Sequence, residues 1–252
     1  MKDKIIKDQA NSVFDLITST FLPGSDRIHV YGKNVICVTD TKGFPNPNNS
    51  SRIEIVIDSS AGFIPLWDKD VTLNWRFNKD FERYFRNPVA AKSAFKNLFG
   101  EAILRWKDAC PVKFSENEDI WDFEISMTSD NCNNFGCVLA SAFFPHQGRD
   151  NLMIYPKMFT QPQNEQIETL VHELGHIFGL RHFFASISEK KWASEIFGAH
   201  NAFSIMNYGK KSFLTDDDVK DLKSLYELVW SGNLNEINGT KIKKFRSYHM
   251  SV

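Results

Sequence analysis

His172, Glu173, His176, Gly179 and His182 fall within the run Val171-His172-Glu173-Leu174-Gly175-His176-Ile177-Phe178-Gly179-Leu180-Arg181-His182, whose residue types and spacing suit a zinc ion. His172 and His176 are four residues apart, so on a helix they project from one face, a turn above one another. Two imidazoles placed that way hold a metal from one side. A straight helix does not bring a third ligand round from position 182. Gly179 solves this, because glycine takes the left-handed conformation that ends a helix and lets the chain turn His182 back. Three protein ligands leave one position open, the arrangement of a catalytic rather than a structural zinc. Glu173 stands beside the ligands, placed to act on a water at that position.

The elements that must position these residues follow from periodicity. The zinc-binding helix is expected over about 163–178, with Pro162 near its start. Ahead of it, Val71, Leu73, Trp75 and Phe77 alternate as a half-buried strand. Phe95, Leu98, Phe99, Ala102 and Trp106 form the apolar stripe of a helix over 88–107, with Pro88 suited to its first turn. Trp121, Phe123, Ile125 and Met127 predict a second strand, Cys137 to Pro145 a third, and Asn151 to Tyr155 a fourth. Behind the motif, Thr215 followed by Asp216, Asp217 and Asp218 predicts a capped helix start, with Val219, Leu222, Leu225, Tyr226 and Val229 as its buried face. Near the N-terminus a helix is expected over 4–21, a hairpin around Gly32-Lys33-Asn34, a loop over 43–51, and a strand around Ile53, Ile55 and Ile57. Residues 231–252 carry Lys241, Lys243, Lys244 and Arg246, a basic cluster that reads as a solvated end, ordered or not, in preference to a membrane or partner signal.

Composition sets the outer bounds. A chain of 252 residues with 42% hydrophobic content is long enough for a large packed domain. A formal charge of −1 gives no support for nucleic-acid binding. No apolar run reaches the length of a membrane span. The opening Met1-Lys2-Asp3-Lys4 has no apolar segment behind it that would read as a secretory signal. The expectation is a chain that stays in the cytoplasm or leaves by a non-classical or dedicated route. Four cysteines, Cys37, Cys110, Cys132 and Cys137, are too few for a disulfide scaffold; Cys132 and Cys137 are close enough to bridge a short loop, although free thiols are the default inside a cell.

With the zinc motif and the segment Ser204-Ile205-Met206-Asn207-Tyr208 in place, the chain resembles the metzincin metallopeptidases, and within them the matrixins, over roughly residues 69–228. Ala140-Ser141-Ala142-Phe143-Phe144-Pro145 resembles the matrixin strand at the upper rim of the cleft, and Leu214 through Tyr226 resembles the matrixin C-terminal helix. The resemblance implies an α+β fold: a twisted mixed sheet with two long helices above a small C-terminal subdomain. It divides the chain into an N-terminal extension over 1–65 (subdomain or propeptide), a catalytic domain over 66–230 and a tail over 231–252. Met206 would form an apolar floor under the imidazoles. Tyr208 resembles the tyrosine that astacins and serralysins place two residues after this methionine, which implies a fifth ligand or an oxyanion donor; its alternative is a tyrosine lining the pocket. The chain departs from matrixins in several places. It has no proline-arginine-cysteine-glycine switch, Phe183 stands where serine is usual, and the region before the zinc helix offers only His146 for a second, structural zinc.

The implied activity is that of a zinc endopeptidase. His172, His176 and His182 would bind one catalytic Zn²⁺, and Glu173 would act as general base. A protein or peptide substrate would lie along the strand 138–144 by β-augmentation, and the chain is expected to act as a monomer. Phe183 and Phe203 are candidates for shaping the pocket. An exported effector or toxin with a narrow target fits the same residues. The alternative from another class is a catalytically silent binding module, against which the intact Glu173 and histidines argue. Asp119, Asp122, Asp130 and Asp150 suggest calcium but match no defensible loop. His29, His146, His200 and His249 read as ordinary surface or core residues.

Overall fold

The structure is a computed structural model that describes residues 13–17, 55–59, 62–133, 136–182, 194–197, 204–206 and 213–251. Among the described residues three strands come first, β1 (Ile55–Asp58), β2 (Ile64–Trp67) and β3 (Thr72–Phe77). The short helix α1 (Lys79–Glu82) is capped by the Asn78 side chain, which accepts from the Asp80 amide. The long helix α2 (Pro88–Arg105) starts the same way, with Asn87 accepting from Ala90 and proline at its first position. Next come β4 (Lys113–Glu116), β5 (Phe123–Met127), β6 (Asn131–Asn133), β7 (Gly136–Val138), β8 (Ala140–Ser141) and β9 (Asp150–Ile154). The zinc-motif helix is α3 (Gln163–Ile177), followed by β10 (Leu180–Arg181) and β11 (Ser194–Phe197). The chain closes with α4 (Asp216–Trp230), β12 (Glu236–Ile237) and β13 (Thr240–Phe245).

The body of the fold is a five-stranded sheet in the order β4-β3-β5-β9-β8. Its first four strands are parallel, and β8 runs antiparallel to β9 as the outermost strand. Central parallel strands are covered on both faces, which is why Phe123, Ile125, Ser126 and Met127 are all buried in β5. Phe77, Phe81, Phe95 and Phe159 meet one another in edge-on and tilted ring contacts, and Trp75 meets Phe99 edge-on. Trp106, at the end of α2, donates its indole N–H to the Val171 carbonyl of α3 at 3.0 Å. The two long helices are therefore tied together directly beside the metal-binding turn. This is the mixed α+β architecture expected from the sequence.

Other expectations change. The described part of the stretch expected as a helix over 4–21 is not helical. Ile17 donates to the Tyr84 carbonyl and Arg86 to the Asp15 carbonyl, each at 2.9 Å, so Leu16 bridges Phe85 in the loop after α1. The remainder of 4–21, the hairpin near Gly32 and the loop 43–51 lie outside the described residues. The strand expected over Cys137–Pro145 divides at Leu139. Before it, β7 pairs with β6 in a hairpin closed by a Cys132–Cys137 disulfide; after it, β8 pairs with β9. The four basic side chains of the tail are exposed, as a solvated end requires, but the segment that carries the lysines is an ordered strand. β13 pairs in parallel with β2, from Ile242 opposite Ile64 to Phe245 opposite Trp67. Four basic side chains had masked the apolar residues between them, and Ile237 and Phe245 are buried.

Candidate active site

Helix α3 lies against α2 with every residue from Thr169 to Ile177 buried. His172, His176 and His182 are 3%, 0% and 0% exposed, a depth at which histidine needs defined partners. His172 Nδ1 lies 2.8 Å from the Ile205 carbonyl, and His176 Nδ1 lies 2.8 Å from the Leu180 carbonyl. A carbonyl only accepts, so both Nδ1 atoms carry the proton. In a neutral imidazole this leaves Nε2 as a bare lone pair.

Those lone pairs converge. His172 Nε2 lies 3.2 Å from His176 Nε2 and 2.9 Å from His182 Nε2, and the three ligand atoms all fall within 4.8 Å of one another. Converging lone pairs repel unless a cation stands among them. Bonds of 2.0–2.1 Å to a tetrahedral zinc would put neighbouring ligand atoms about 3.3 Å apart, close to what is seen. An all-imidazole donor set, with the outer nitrogens of His172 and His176 fixed by carbonyls, fits zinc in chemistry as well as in spacing. The three histidines thus come together as the motif predicts, and Glu173 is buried on the same helix at 3% exposure.

The turn that delivers His182 is closely held. Gly179 has φ +93°, the left-handed conformation anticipated for it. A side chain there would also meet the Pro65 carbonyl and Leu66 Cδ2, each at 3.1 Å. The last carbonyls of α3 point out of the helix and need donors. Trp67 supplies its indole N–H to Ile177 at 2.7 Å, and Tyr226 its hydroxyl to Phe178 at 3.0 Å. Tyr226 is fully buried, which holds its hydroxyl well above the usual tyrosine range and keeps it a donor. Leu180 and Arg181 then form β10. The Arg181 guanidinium sits over the Phe144 ring at 4.6 Å, and the same ring meets His176 edge-on at 5.6 Å.

Met206 is 3% exposed and its sulfur lies against α3 at Gly175, on the helix that carries His172 and His176. A Cβ on Gly175 would run into its sulfur, so that glycine lets the helix and the methionine turn approach. Trp67, Tyr226, Phe144 and the carbonyls of Leu180 and Ile205 were not anticipated. Backbone carbonyls leave no mark in a sequence, and the tryptophan and tyrosine read as ordinary core residues.

Tyr208, Phe183, Phe203, His29 and His200 lie outside the described residues. His146 accepts from the Gly148 amide and faces Asp150 at 3.0 Å. His249 faces Asp122 at 2.8 Å. Three of the four aspartates considered for calcium are engaged separately. Asp122 accepts from the amides of Asn74 and His249, Asp130 from that of Lys157, and Asp150 faces His146. Among the described residues the three histidines are the group of His, Cys, Asp and Glu side chains placed to hold a metal ion. None of their helices is long and apolar enough to cross a membrane.

Comparison with known proteins follows the same residues. The matrixin family model matches residues 66–227. Metalloendoproteinase 4-MMP of Arabidopsis thaliana is 28% identical over 189 residues, covering 69% of this chain and 51% of its own. Stromelysin-3 of Xenopus laevis is 31% identical over 111 residues, covering 39% of this chain and 23% of its own. The chain thus spans about half the length of the first relative and less than a quarter of the second. The solved structure of myroilysin superposes with a TM-score of 0.41 at 12% identity, over 68% of this chain and 98% of that one.

Proposed function

The chain belongs to the matrixin family, and on that footing we propose that it is a zinc-dependent endopeptidase that hydrolyses peptide bonds of protein substrates. The observation that carries this reading is the convergence of three buried Nε2 atoms, with the rings of His172 and His176 fixed from behind by backbone carbonyls. His172, His176 and His182 would hold the zinc ion. When bound, zinc supplies a Lewis acid that polarises the scissile carbonyl and makes water a nucleophile near neutral pH. Glu173 takes the proton from the attacking water and passes it to the leaving amine. Tyr208, two residues after Met206, is assigned to the oxyanion that develops on the carbonyl.

The substrate backbone lies along β8, the outermost strand of the main sheet, where an extended peptide adds its own hydrogen bonds. The Cys132–Cys137 bridge supports work in an oxidising setting outside the cytosol, and hence an exported enzyme.

A quenched fluorogenic peptide library, read with and without a chelator, tests the activity. Glu173→Ala should lower turnover at least ~100-fold while the bound zinc stays at one per chain. Undiminished turnover in that variant would remove the role given to Glu173. A wild-type chain that holds zinc and cleaves nothing in the library would instead be a binding module on the same fold. Cleavage profiling on whole proteomes then reads the breadth of targets: a few cleaved proteins mark an effector, many a general protease.

A further inference from the structure

We propose that β1, which lies ahead of the matrixin-like region, is a permanent clamp on the metal-binding turn and not part of a removable propeptide. The proposal rests on the zinc reading above.

The family match begins at residue 66, so Ile55–Asp58 falls outside it. Even so, this strand occupies the centre of a three-stranded sheet in the order β10-β1-β11. On one side Val56 pairs with Arg181 and Ile57 with Leu180; on the other, Ile55 to Asp58 pair with Phe197 to Ser194. Ile57 is fully buried.

The two residues that β1 holds on the β10 side are those on which the metal centre turns. The Leu180 carbonyl receives His176 Nδ1 at 2.8 Å and so sets the orientation of that imidazole. Arg181 is joined directly to His182, whose Nε2 lies 2.9 Å from His172 Nε2. The side chains of β10 are buried, but the strand is only two residues long and the left-handed glycine before it adds backbone freedom at the point of exit. Pairing with β1 removes that freedom. The strand thus bears on two of the three histidines, through the carbonyl behind one and the backbone leading into the other. Loss of an outer partner hydrogen-bonded to a metal ligand, as the Leu180 carbonyl is to His176, typically changes metal affinity by about 10–100-fold. A propeptide blocks a site and its loss speeds the enzyme; loss of β1 would loosen the site.

The test uses the full-length chain. Val56→Pro removes one amide hydrogen from the central strand, whereas Val56→Ala leaves the backbone ladder intact. Zinc release into excess chelator should be about tenfold faster or more in Val56→Pro and within about twofold of wild type in Val56→Ala. In the metal-free proteins, the amides of Leu180 and Arg181 should lose hydrogen-exchange protection in Val56→Pro alone. Should the proline variant not fold, the wild-type metal-free chain still decides. Amides of residues 56–58 and 180–181 that exchange together support the clamp; β10 amides that stay protected while β1 exchanges overturn it. Equal zinc retention in folded Val56→Pro and wild type also overturns it. A wild-type chain that takes up no zinc overturns the metal reading instead, and the exchange measurement then tests the clamp by itself.

Discussion

Gly175 shows how much a single missing methyl group decides. It lies inside α3, between the two helical histidines, where glycine weakens a helix relative to alanine. Its place is explained from outside the helix: a Cβ there would collide with Met206 Sδ, and the adjacent Ile205 supplies the carbonyl that orients His172. Gly175→Ala should therefore do the opposite of what helix propensity suggests. Overpacking of this kind costs about 1–3 kcal/mol, and the displaced turn should also loosen zinc. Thermal unfolding with and without zinc checks this; a variant as stable as wild type in both states would show that the methionine turn gives way freely. Cys110 offers a second measurement at the same scale. Burial pushes its thiol up to about 11. A raised value means less thiolate at any given pH, roughly a hundredfold less at pH 8 than for an ordinary cysteine. Iodoacetamide at pH 8, followed by mass spectrometry, should label Cys110 far more slowly in the folded chain than in urea, and equal rates would contradict its burial. The histidines and Gly179 were legible in the sequence because the metal imposes their spacing. Gly175 was not, because its reason lies on a segment remote in the chain.

At the scale of elements, the critical junction is the C-terminal end of α3. Its final carbonyls are met by Trp67 from β2 and Tyr226 from α4, and the Tyr226 hydroxyl also accepts from the Trp67 amide at 3.3 Å. Trp230 closes the group by donating to the Trp67 carbonyl at 3.1 Å. Tyr226→Phe keeps the ring but leaves a buried carbonyl and a buried amide without that hydroxyl, a loss of about 1–3 kcal/mol. For a chain of this size the melting temperature should fall by roughly 2–4 °C per kcal/mol. An unchanged melting temperature would mean that these groups find other partners. Of the two elements involved, α4 was readable. Thr215 and Asp218 form a reciprocal capping box, and the apolar spacing behind it is helical. β2 was not. Ile64, Pro65, Leu66 and Trp67 are buried without alternation, and a proline inside a short apolar run argues against a strand. Its partner β13 comes from the opposite end of the chain, so no local pattern marks the pair. β4 escaped notice for a different reason: it is an edge strand, mostly exposed, with Phe114 as its one large apolar residue.

For the molecule as a whole, segments on both sides of the family-matched region wrap back onto it. At the N-terminal side β1 joins the metal-binding turn, and at the C-terminal side β13 joins β2. The end of the chain is then fastened at Asp122, a carboxylate only 4% exposed. Asp122 accepts from the Asn74 amide on β3 at 2.6 Å, and from the His249 amide and Nδ1 at 2.8 Å each. Around it, the Arg149 guanidinium lies over the Trp121 ring at 4.1 Å and the Tyr248 ring at 4.6 Å. The sequence could not announce this fastening, because its two halves are far apart in the chain and the lysines between them resemble a solvated end. The two partners of the contact should not be equivalent. Asp122→Ala removes the acceptor and strands buried donors on both β3 and the tail, which should cost about 1–3 kcal/mol and release the tail. His249→Ala leaves the carboxylate still bonded to Asn74, on a side chain that is itself partly exposed, and should cost about 1 kcal/mol or less. Urea unfolding gives the two stabilities, and hydrogen exchange over residues 242–251 reports whether the tail has come away. The expected result is lost protection of the residue-249 amide in Asp122→Ala, retained protection there in His249→Ala, whose backbone amide still reaches Asp122, and the larger fall in stability in Asp122→Ala. Equal stabilities would place the hold in the Arg149 stack, and full protection in Asp122→Ala would show that β13 pairing alone keeps the tail in place.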